Sequence, residues 1–240
     1  MSPTATMTTV VLERRYNGPP ETANGGYACG VVARHVDGPA HVNLRRPVPL
    51  GTPLELERHD DGHVTLHDGE TLIAEADPAL PLDELEPPYR PTVEEARAAA
   101  RLRPGTWPAT FDSCWVCAPA RRDGLGVVFG PPPSRPGMTG AVLFARPGVP
   151  QQDGEVAPEI AWAALDCPSY TPPLWGSAQP SLLASMHAEL LAPVPAGTPL
   201  AVVGWSLGTE GRKHRSATAI LGGDGRVLAR AEALWIRIRG

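Results

Sequence analysis

The 240-residue sequence predicts an α+β fold in which antiparallel strands surround a few buried helices. Short runs of Val, Leu, Ala and Ile are separated by residues typical of turns. Two stretches of small apolar residues form helices, and one peptide occurs twice. The chain has 25 glycines and 29 prolines among its 240 residues. Their combined fraction, about 22%, lies below the roughly 25–30% of Pro and Gly that is typical of disordered chains. These residues therefore indicate turns between strands.

Charge and hydropathy exclude several classes of protein. The formal net charge is -5, which gives no general positive field for nucleic-acid phosphates. No stretch reaches the ~18–20 consecutive apolar residues of a membrane span, and the first residues lack the order of a signal peptide. We therefore expect a cytoplasmic protein with neither a nucleic-acid nor a membrane partner.

The first predicted domain, residues 1–77, combines one helix with several strands. A helix is expected within residues 23–34 in spite of their three glycines, because small residues let a surrounding sheet approach; Asn24 lies near its N-cap. Turn sequences such as Asp37-Gly38-Pro39 separate the strands. The predicted strands are 8–16, 40–46, 52–58, 63–67 and 70–76.

A linker is predicted over residues 78–110. Its first part is rich in proline and therefore extended. Its second part is an exposed helix over residues 92–101, in which Thr92 and Glu95 form a capping box. The boundary between two domains belongs here.

The second predicted domain, residues 111–240, contains the helix around which the chain is organised. Pro158 suits the first helical position, and no charged side chain follows Glu159 until Asp166. A helix that is apolar all round is enclosed by other elements, so Asp166 is desolvated and is either a paired structural residue or a functional one. The predicted strands are 125–129, 139–146, 182–191, 198–206, 213–221 and 226–238.

An internal repeat relates the two halves. Residues 44–54 match residues 190–200 at a constant offset of 146, with eight of eleven positions identical. Each copy follows a helix of small residues and precedes strands joined by an Asp-Gly turn. The simplest interpretation is two copies of one unit, a buried helix followed by an antiparallel sheet.

These features resemble the hotdog fold, specifically the acyl-CoA and acyl-carrier thioesterases of the phenylacetate-degradation type. The segment C-W-V-C-A-P-A-R-R-D-G-L at 114–125 is similar to one that opens some of these proteins, with Ala118 where glycine is usual. The resemblance implies a double hotdog, with two curved antiparallel sheets, each wrapping a central helix, joined into one. It also implies a thioester hydrolase whose partner is an acyl-CoA or an acyl-carrier protein, with no cofactor except coenzyme A within the substrate.

The resemblance further implies one composite catalytic site. The family's helix begins with His-Gly-Gly or a close variant and carries an acid nine positions later. Asn24-Gly25-Gly26 matches the first part but is followed by Ala33, whereas Asp166 matches the second part but is preceded by Ala157. The backbone N–H groups of the glycines would stabilise an oxyanion, and Asp166 would act as base or nucleophile. One live and one dead site would result, and the resemblance is compatible with a homo-oligomer of double hotdogs.

Other residues are candidates for substrate binding. Arg212, Lys213 and Arg215 either hold coenzyme A phosphates or form a solvated hairpin tip. Tyr170 and Trp175 lie in a proline-rich loop that would cover an acyl chain as a lid. The two cysteines of the C-x-x-C at 114–117 have neither a second cysteine pair nor two histidines nearby in the sequence, so no metal site is expected.

Two alternative functions remain open. A hotdog hydratase or dehydratase would need a histidine beside the acid, and His187 is the available residue. A non-catalytic acyl-binding protein is the other alternative, because neither helix keeps the whole motif. The G-x-S-x-G at 204–208 does not indicate a serine hydrolase, because a strand follows and His214 precedes Asp224.

Overall fold

The computed structural model describes residues 6–102, 108–177 and 179–239. The helices are α1 (Gly25–Ala33), α2 (Val93–Ala100) and α3 (Pro158–Asp166). The strands are β1 (Thr6–Val11), β2 (Ala40–Leu44), β3 (Pro53–Arg58), β4 (Val64–Asp68), β5 (Thr71–Pro78), β6 (Phe129–Gly130), β7 (Met138–Leu143), β8 (Gln151–Gln152), β9 (Glu155–Val156), β10 (Ser181–Leu190), β11 (Leu200–Glu210), β12 (Lys213–Leu221) and β13 (Val227–Arg237). Across the described ranges, no helix combines the length and the apolarity that a membrane crossing requires.

A single antiparallel sheet contains eleven of the described strands. Their order is β1-β3-β4-β5-β2-β10-β13-β12-β11-β7-β6, and β8 and β9 form a separate hairpin. The two halves meet where Ala40–Asn43 of β2 pair with Ser185–Ala188 of β10. The predicted α+β architecture with one continuous sheet is therefore confirmed.

The helices α1 and α3 pack together on one face of this sheet and share one hydrophobic core. The start of α1 lies against the end of α3, and two glycines permit this contact. A Cβ added at Gly26 would lie 2.4 Å from Cβ of Asp166, and one added at Gly30 would lie 2.6 Å from Cα of Glu159. The glycines that weaken α1 as an isolated helix are therefore needed for helix packing.

Replacing Gly30 by alanine should destabilise this contact. The added methyl group meets backbone of α3, so the helices must separate, at a cost of about 1–3 kcal/mol in the free energy of unfolding. The gain in helix propensity, roughly 0.5–1 kcal/mol, offsets only part of that cost. Denaturant unfolding checks the result. Gly137→Ala is the control, because nothing lies within 4 Å of its added Cβ, and a similar loss there would contradict the packing argument.

Described residues of the predicted linker cover part of the outer face of the sheet, which corrects one prediction. The capping box of Thr92 and Glu95 is present, but α2 is not an exposed helix, because Ala96 and Ala99 are fully buried. They lie against the face of the sheet that carries Val203 of β11, whereas Val202 faces the α1–α3 core. The capping box predicts where α2 begins, but it does not predict which residues the alanines of the helix contact.

Two strand predictions also need correction. The strand predicted over 8–16 spans Thr6–Val11 instead and is followed by a 3₁₀ turn at Arg14–Tyr16. The segment predicted as strand 125–129 is irregular until Phe129. The division into domains 1–77, 78–110 and 111–240 stays a prediction; its residues 1–5, 103–107, 178 and 240 lie outside the described ranges.

Candidate functional site

Asp166 is the last residue of α3, and its side chain reaches the start of α1. Its Oδ2 accepts hydrogen bonds from Asn24 Nδ2 at 2.8 Å and from the backbone N–H of Gly26 at 2.9 Å. Only 2% of the residue is exposed, and Oδ1 has no hydrogen-bond partner within the described part of the chain. The predicted composite of Asn24, Gly26 and Asp166 is thus one cluster in the structure.

The side chain of Asn24 joins several groups. Its Oδ1 accepts from the backbone N–H of Tyr27 at 2.9 Å and so forms the N-cap of α1. Its Nδ2 donates to Asp166 and also lies 3.9 Å from Sγ of Cys114 and 3.8 Å from Sγ of Cys167. Because the cap fixes which end of the amide faces α1, the NH₂ group is held towards the carboxylate and the two sulfurs.

The backbone amides at the start of α1 are not equivalent. The N–H of Gly26 is bound to Asp166, whereas the N–H of Gly25 has no hydrogen-bond partner among the described residues. Gly25 lines the cavity next to Asp166. Of the two glycine amides expected to stabilise an oxyanion, only that of Gly25 is therefore available to a ligand.

Burial dominates the electrostatics of Asp166. Desolvation raises the pKa of its carboxyl group to about 7, although the hydrogen bonds from Gly26 and Asn24 oppose that change. Removing a carboxylate from water disfavours its charged form. The interactions around Oδ2 therefore only partly replace hydration.

A cavity of about 380 Å³ opens beside this cluster. Its walls are largely apolar, and Phe111, Tyr170 and Trp235 form one aromatic group in it, with ring centroids 5.8 Å and 5.1 Å from Tyr170. Leu182 and Leu183 of β10 complete that side. Apolar walls with a few polar groups at one end are typical of small-molecule sites.

Arginines line the same cavity: Arg45, Arg46, Arg212, Arg237 and Arg239. Arg45 forms an ion pair with Glu75, and Arg212 Nη1 donates to the backbone O of Arg237. Nε of Arg237 is buried without a hydrogen-bond partner in the described structure. Of these arginines, only Arg212 is predicted from the sequence. The repeat contains a signal for Arg45 and Arg46, because the second copy has Leu191 and Ala192 at the equivalent positions and so lacks both charges.

The other predicted binding residues divide into two groups. Arg212 and Tyr170 line the cavity, whereas Lys213, Arg215 and Trp175 do not. Arg215 forms an ion pair with Glu232 of β13. Side chains of alternate residues in a strand point to opposite faces of the sheet, and that of Arg215 does not lie on the side of the cavity. Indole Nε1 of Trp175 donates to the backbone O of Tyr170.

Part of the proline-rich loop is buried. Tyr170, Thr171 and Leu174 are buried, and two 3₁₀ turns at Cys167–Ser169 and Pro172–Leu174 hold the segment inside the core. In this structure the described part of the loop contributes Tyr170 to the cavity wall, and its action as a lid stays a prediction.

A second cavity, of about 590 Å³, occupies the corresponding place in the other half. It is lined by Ala157, Pro158 and residues 190–194, as the first is lined by Asn24, Gly25 and residues 44–48. At the nine-residue spacing, Pro158 replaces Gly25 and so removes the N–H, while Ala33 replaces Asp166. The carboxylates of this second cavity, Asp153 and Glu155, are exposed.

Three cysteines lie beside the Asn24–Asp166 cluster. Sγ atoms of Cys114, Cys117 and Cys167 lie within 4.8 Å of one another, and all three residues are buried and line the first cavity. Cys167 directly follows Asp166 in the chain. The sequence does not indicate this group, because Cys167 is distant from the C-x-x-C in the chain and is brought next to it only by folding.

His187 is distant from this chemistry. It lies on β10 between Met186 and Ala188, which face the core, and its own side chain projects to the opposite face. There Nε2 contacts the backbone O of Leu80 at 3.0 Å, and His187 does not line the first cavity. The histidine that a hydratase would need is therefore not placed beside Asp166.

Comparison with known proteins supports the fold. No family model and no curated protein matches the sequence. A Novosphingobium aromaticivorans structure, provisionally assigned as a thioesterase, is 15% identical over 98% of this chain and 96% of its own, with a TM-score of 0.64. A hot dog fold protein of unknown function from Alicyclobacillus acidocaldarius is 12% identical over 98% and 94%, with a TM-score of 0.60. The tesB protein of Mycobacterium avium subspecies paratuberculosis is 12% identical over 97% and 93%, with a TM-score of 0.59.

These similarities extend over nearly the whole of each chain. Together with the eleven-stranded antiparallel sheet around α1 and α3, they show that this chain has the double hotdog fold. Identities of 12–15% establish architecture, so the reaction must be argued from the site itself.

Proposed function

We propose that this protein hydrolyses an acyl-coenzyme A thioester at a single site formed by Asp166 and the start of α1. The observation that carries the proposal is the contact between Asp166 Oδ2 and the Asn24–Gly26 turn, at 2.8 and 2.9 Å. It holds a carboxylate next to the unoccupied N–H of Gly25 at the wall of an apolar cavity. Solved structures with the same fold include proteins that are provisionally assigned as thioesterases.

The chemistry follows from these groups. Attack on a thioester carbonyl moves negative charge to its oxygen, and a helix-start N–H stabilises that charge. Gly25 supplies this donor. Asp166, fixed through Oδ2, presents Oδ1 either to a water molecule as a base or to the carbonyl carbon as a nucleophile. The apolar wall receives the acyl group, and the thiol leaves as coenzyme A.

Release of thiol from a panel of acyl-CoA thioesters tests the proposal. Turnover of at least one member is expected. After a single turnover in heavy-oxygen water, label in the Asp166 carboxyl group would identify a nucleophile whose acyl anhydride is opened by water at the aspartyl carbonyl carbon. Saturable acyl-CoA binding with no thiol release would instead identify a non-catalytic acyl-binding protein.

The arginines at the cavity favour coenzyme A as the carrier, because its phosphates are anionic and Arg237 Nε has no hydrogen-bond partner among the described residues. Changing Arg212 or Arg237 singly to alanine should raise KM for an acyl-CoA about two- to tenfold, as a net hydrogen bond of about 0.5–1.5 kcal/mol predicts. KM for the matching acyl-pantetheine, which lacks the nucleotide, should not change. Steady-state kinetics on both substrates measure the difference.

Arg215→Ala is the matched control for this experiment. It removes an arginine from the same basic run, but this residue pairs with Glu232 and does not line the cavity. Its KM for acyl-CoA should equal that of the unaltered protein. An equal rise in KM for acyl-CoA and acyl-pantetheine in the Arg212 and Arg237 variants would contradict phosphate recognition.

A further inference from the structure

We infer that Cys114, Cys117 and Cys167 form a three-thiolate site for a soft divalent cation of the Zn²⁺ class, with the fourth coordination position on the cavity side. The inference is independent of the proposed hydrolysis, because it concerns metal affinity and uses no catalytic step. It rests on the spacing of the sulfur atoms, the hydrogen-bond donor beside them and the position of the three residues at the cavity wall.

The sulfur spacing fits tetrahedral coordination. Four-coordinate zinc with Zn–S bonds of about 2.3 Å places neighbouring sulfurs about 3.8 Å apart. Sγ atoms of Cys114 and Cys167 are separated by 3.8 Å, and all three sulfurs lie within 4.8 Å of one another. Three cysteines, two of them from a C-x-x-C pair, are also a known ligand set for a catalytic zinc that binds a water molecule in its fourth position.

A disulfide explains the arrangement less well. It would join two sulfurs, which must approach from 3.8 Å to about 2.05 Å, and it would leave the third cysteine unexplained. No disulfide joins any of the cysteines in the described structure. Because three sulfurs converge on one point, a cation is the occupant that uses all of them.

A hydrogen-bond donor lies beside the sulfur cluster. The NH₂ of Asn24, within 3.8–3.9 Å of two of the sulfurs, is an outer partner of the kind that orients metal ligands.

The fourth position would be open to a ligand. All three cysteines line the first cavity, where Asp166 and Asn24 also lie. Sites with three protein ligands and one open position bind water or substrate there. Thiolate ligands select Zn²⁺ and similar soft ions over Mg²⁺ or Ca²⁺.

Metal binding to the reduced full-length protein tests the inference. Apo-protein prepared with a chelator and reductant is titrated with Zn²⁺ against a competing chelator, and with Co²⁺ to record thiolate charge-transfer and tetrahedral d–d bands. One ion per chain, with these bands, is expected. Changing Cys114, Cys117 or Cys167 to serine should weaken Zn²⁺ binding at least ~100-fold, more than loss of an outer partner does.

Cys29→Ser is the control, because Cys29 is a fully buried thiol on α1 outside the cluster. It should keep the affinity and the Co²⁺ spectrum. Thermal unfolding of the unaltered protein gives a second measurement that no variant can compromise, since Zn²⁺ should raise its Tm. Failure of Zn²⁺ to bind or to raise Tm would overturn the inference, as would binding that survives in all three serine variants or a resting disulfide between Cys114 and Cys167.

Discussion

Asp166→Asn is expected to lower kcat for thioester hydrolysis by about 10²–10⁴-fold. The asparagine has the size of the aspartate, and its carbonyl oxygen can still accept from Asn24 and Gly26, as Oδ2 does at 2.8 and 2.9 Å. The change therefore removes the base or nucleophile while retaining the contact between α1 and α3. Thiol release at saturating acyl-CoA measures the loss.

The fold of this variant should persist. Asp166 is buried, and replacing its carboxyl by an amide removes the cost of burying a charge. Denaturant unfolding should therefore show no large loss of stability. Glu155→Gln is the matched control, because Glu155 is a carboxylate of the second cavity, and its turnover should be unchanged. A normal rate in Asp166→Asn, or an equal loss in Glu155→Gln, would reject a single site at Asp166.

Much of the architecture could be predicted because it depends on local composition and on the repeat. The small residues of α1 and α3 mark them as enclosed helices, and the match of residues 44–54 with 190–200 indicates two related halves. The meeting of Asn24 with Asp166 is implied by the resemblance to hotdog thioesterases, because each helix holds the half of that family's motif that the other lacks. The structure agrees, with 2.8 Å between Asn24 Nδ2 and Asp166 Oδ2.

The remaining features depend on distances between elements that are far apart in the chain. The N–H of Gly26 is bound by Asp166 because α1 and α3 approach closely at that glycine, and no local pattern reports that separation. Cys167 joins Cys114 only because the end of α3 lies against the segment at 114–117, which is 53 residues away in sequence. Long-range packing, rather than propensity, thus decides which polar groups are available.

The second cavity has Pro158 at the position that corresponds to Gly25, the proposed oxyanion donor. The substitution Gly25→Pro therefore reproduces in the first cavity the loss of the N–H found in the second. Proline is tolerated at the first position of a helix, and Pro158 occupies that position in α3. Asn24, with φ -58° and ψ 133°, already has the extended conformation that precedes proline. The substitution should lower kcat/KM by about 10²–10³-fold, as loss of one oxyanion donor does.

Gly25→Ala isolates the contribution of the N–H. Both substitutions add a Cβ that meets Leu183, 2.9 Å from Cδ2, so crowding of Leu183 by that atom is common to the two. Only the proline removes the amide hydrogen, and its ring Cδ takes the place of that hydrogen. The ratio of the two kcat/KM values, with Tm measured for each, therefore reports exchange of the N–H donor for a ring carbon, and it should be at least the loss expected for one donor. Equal rates in two folded variants would mean that the carbonyl oxygen lies elsewhere, and Asp166 would then act without the start of α1.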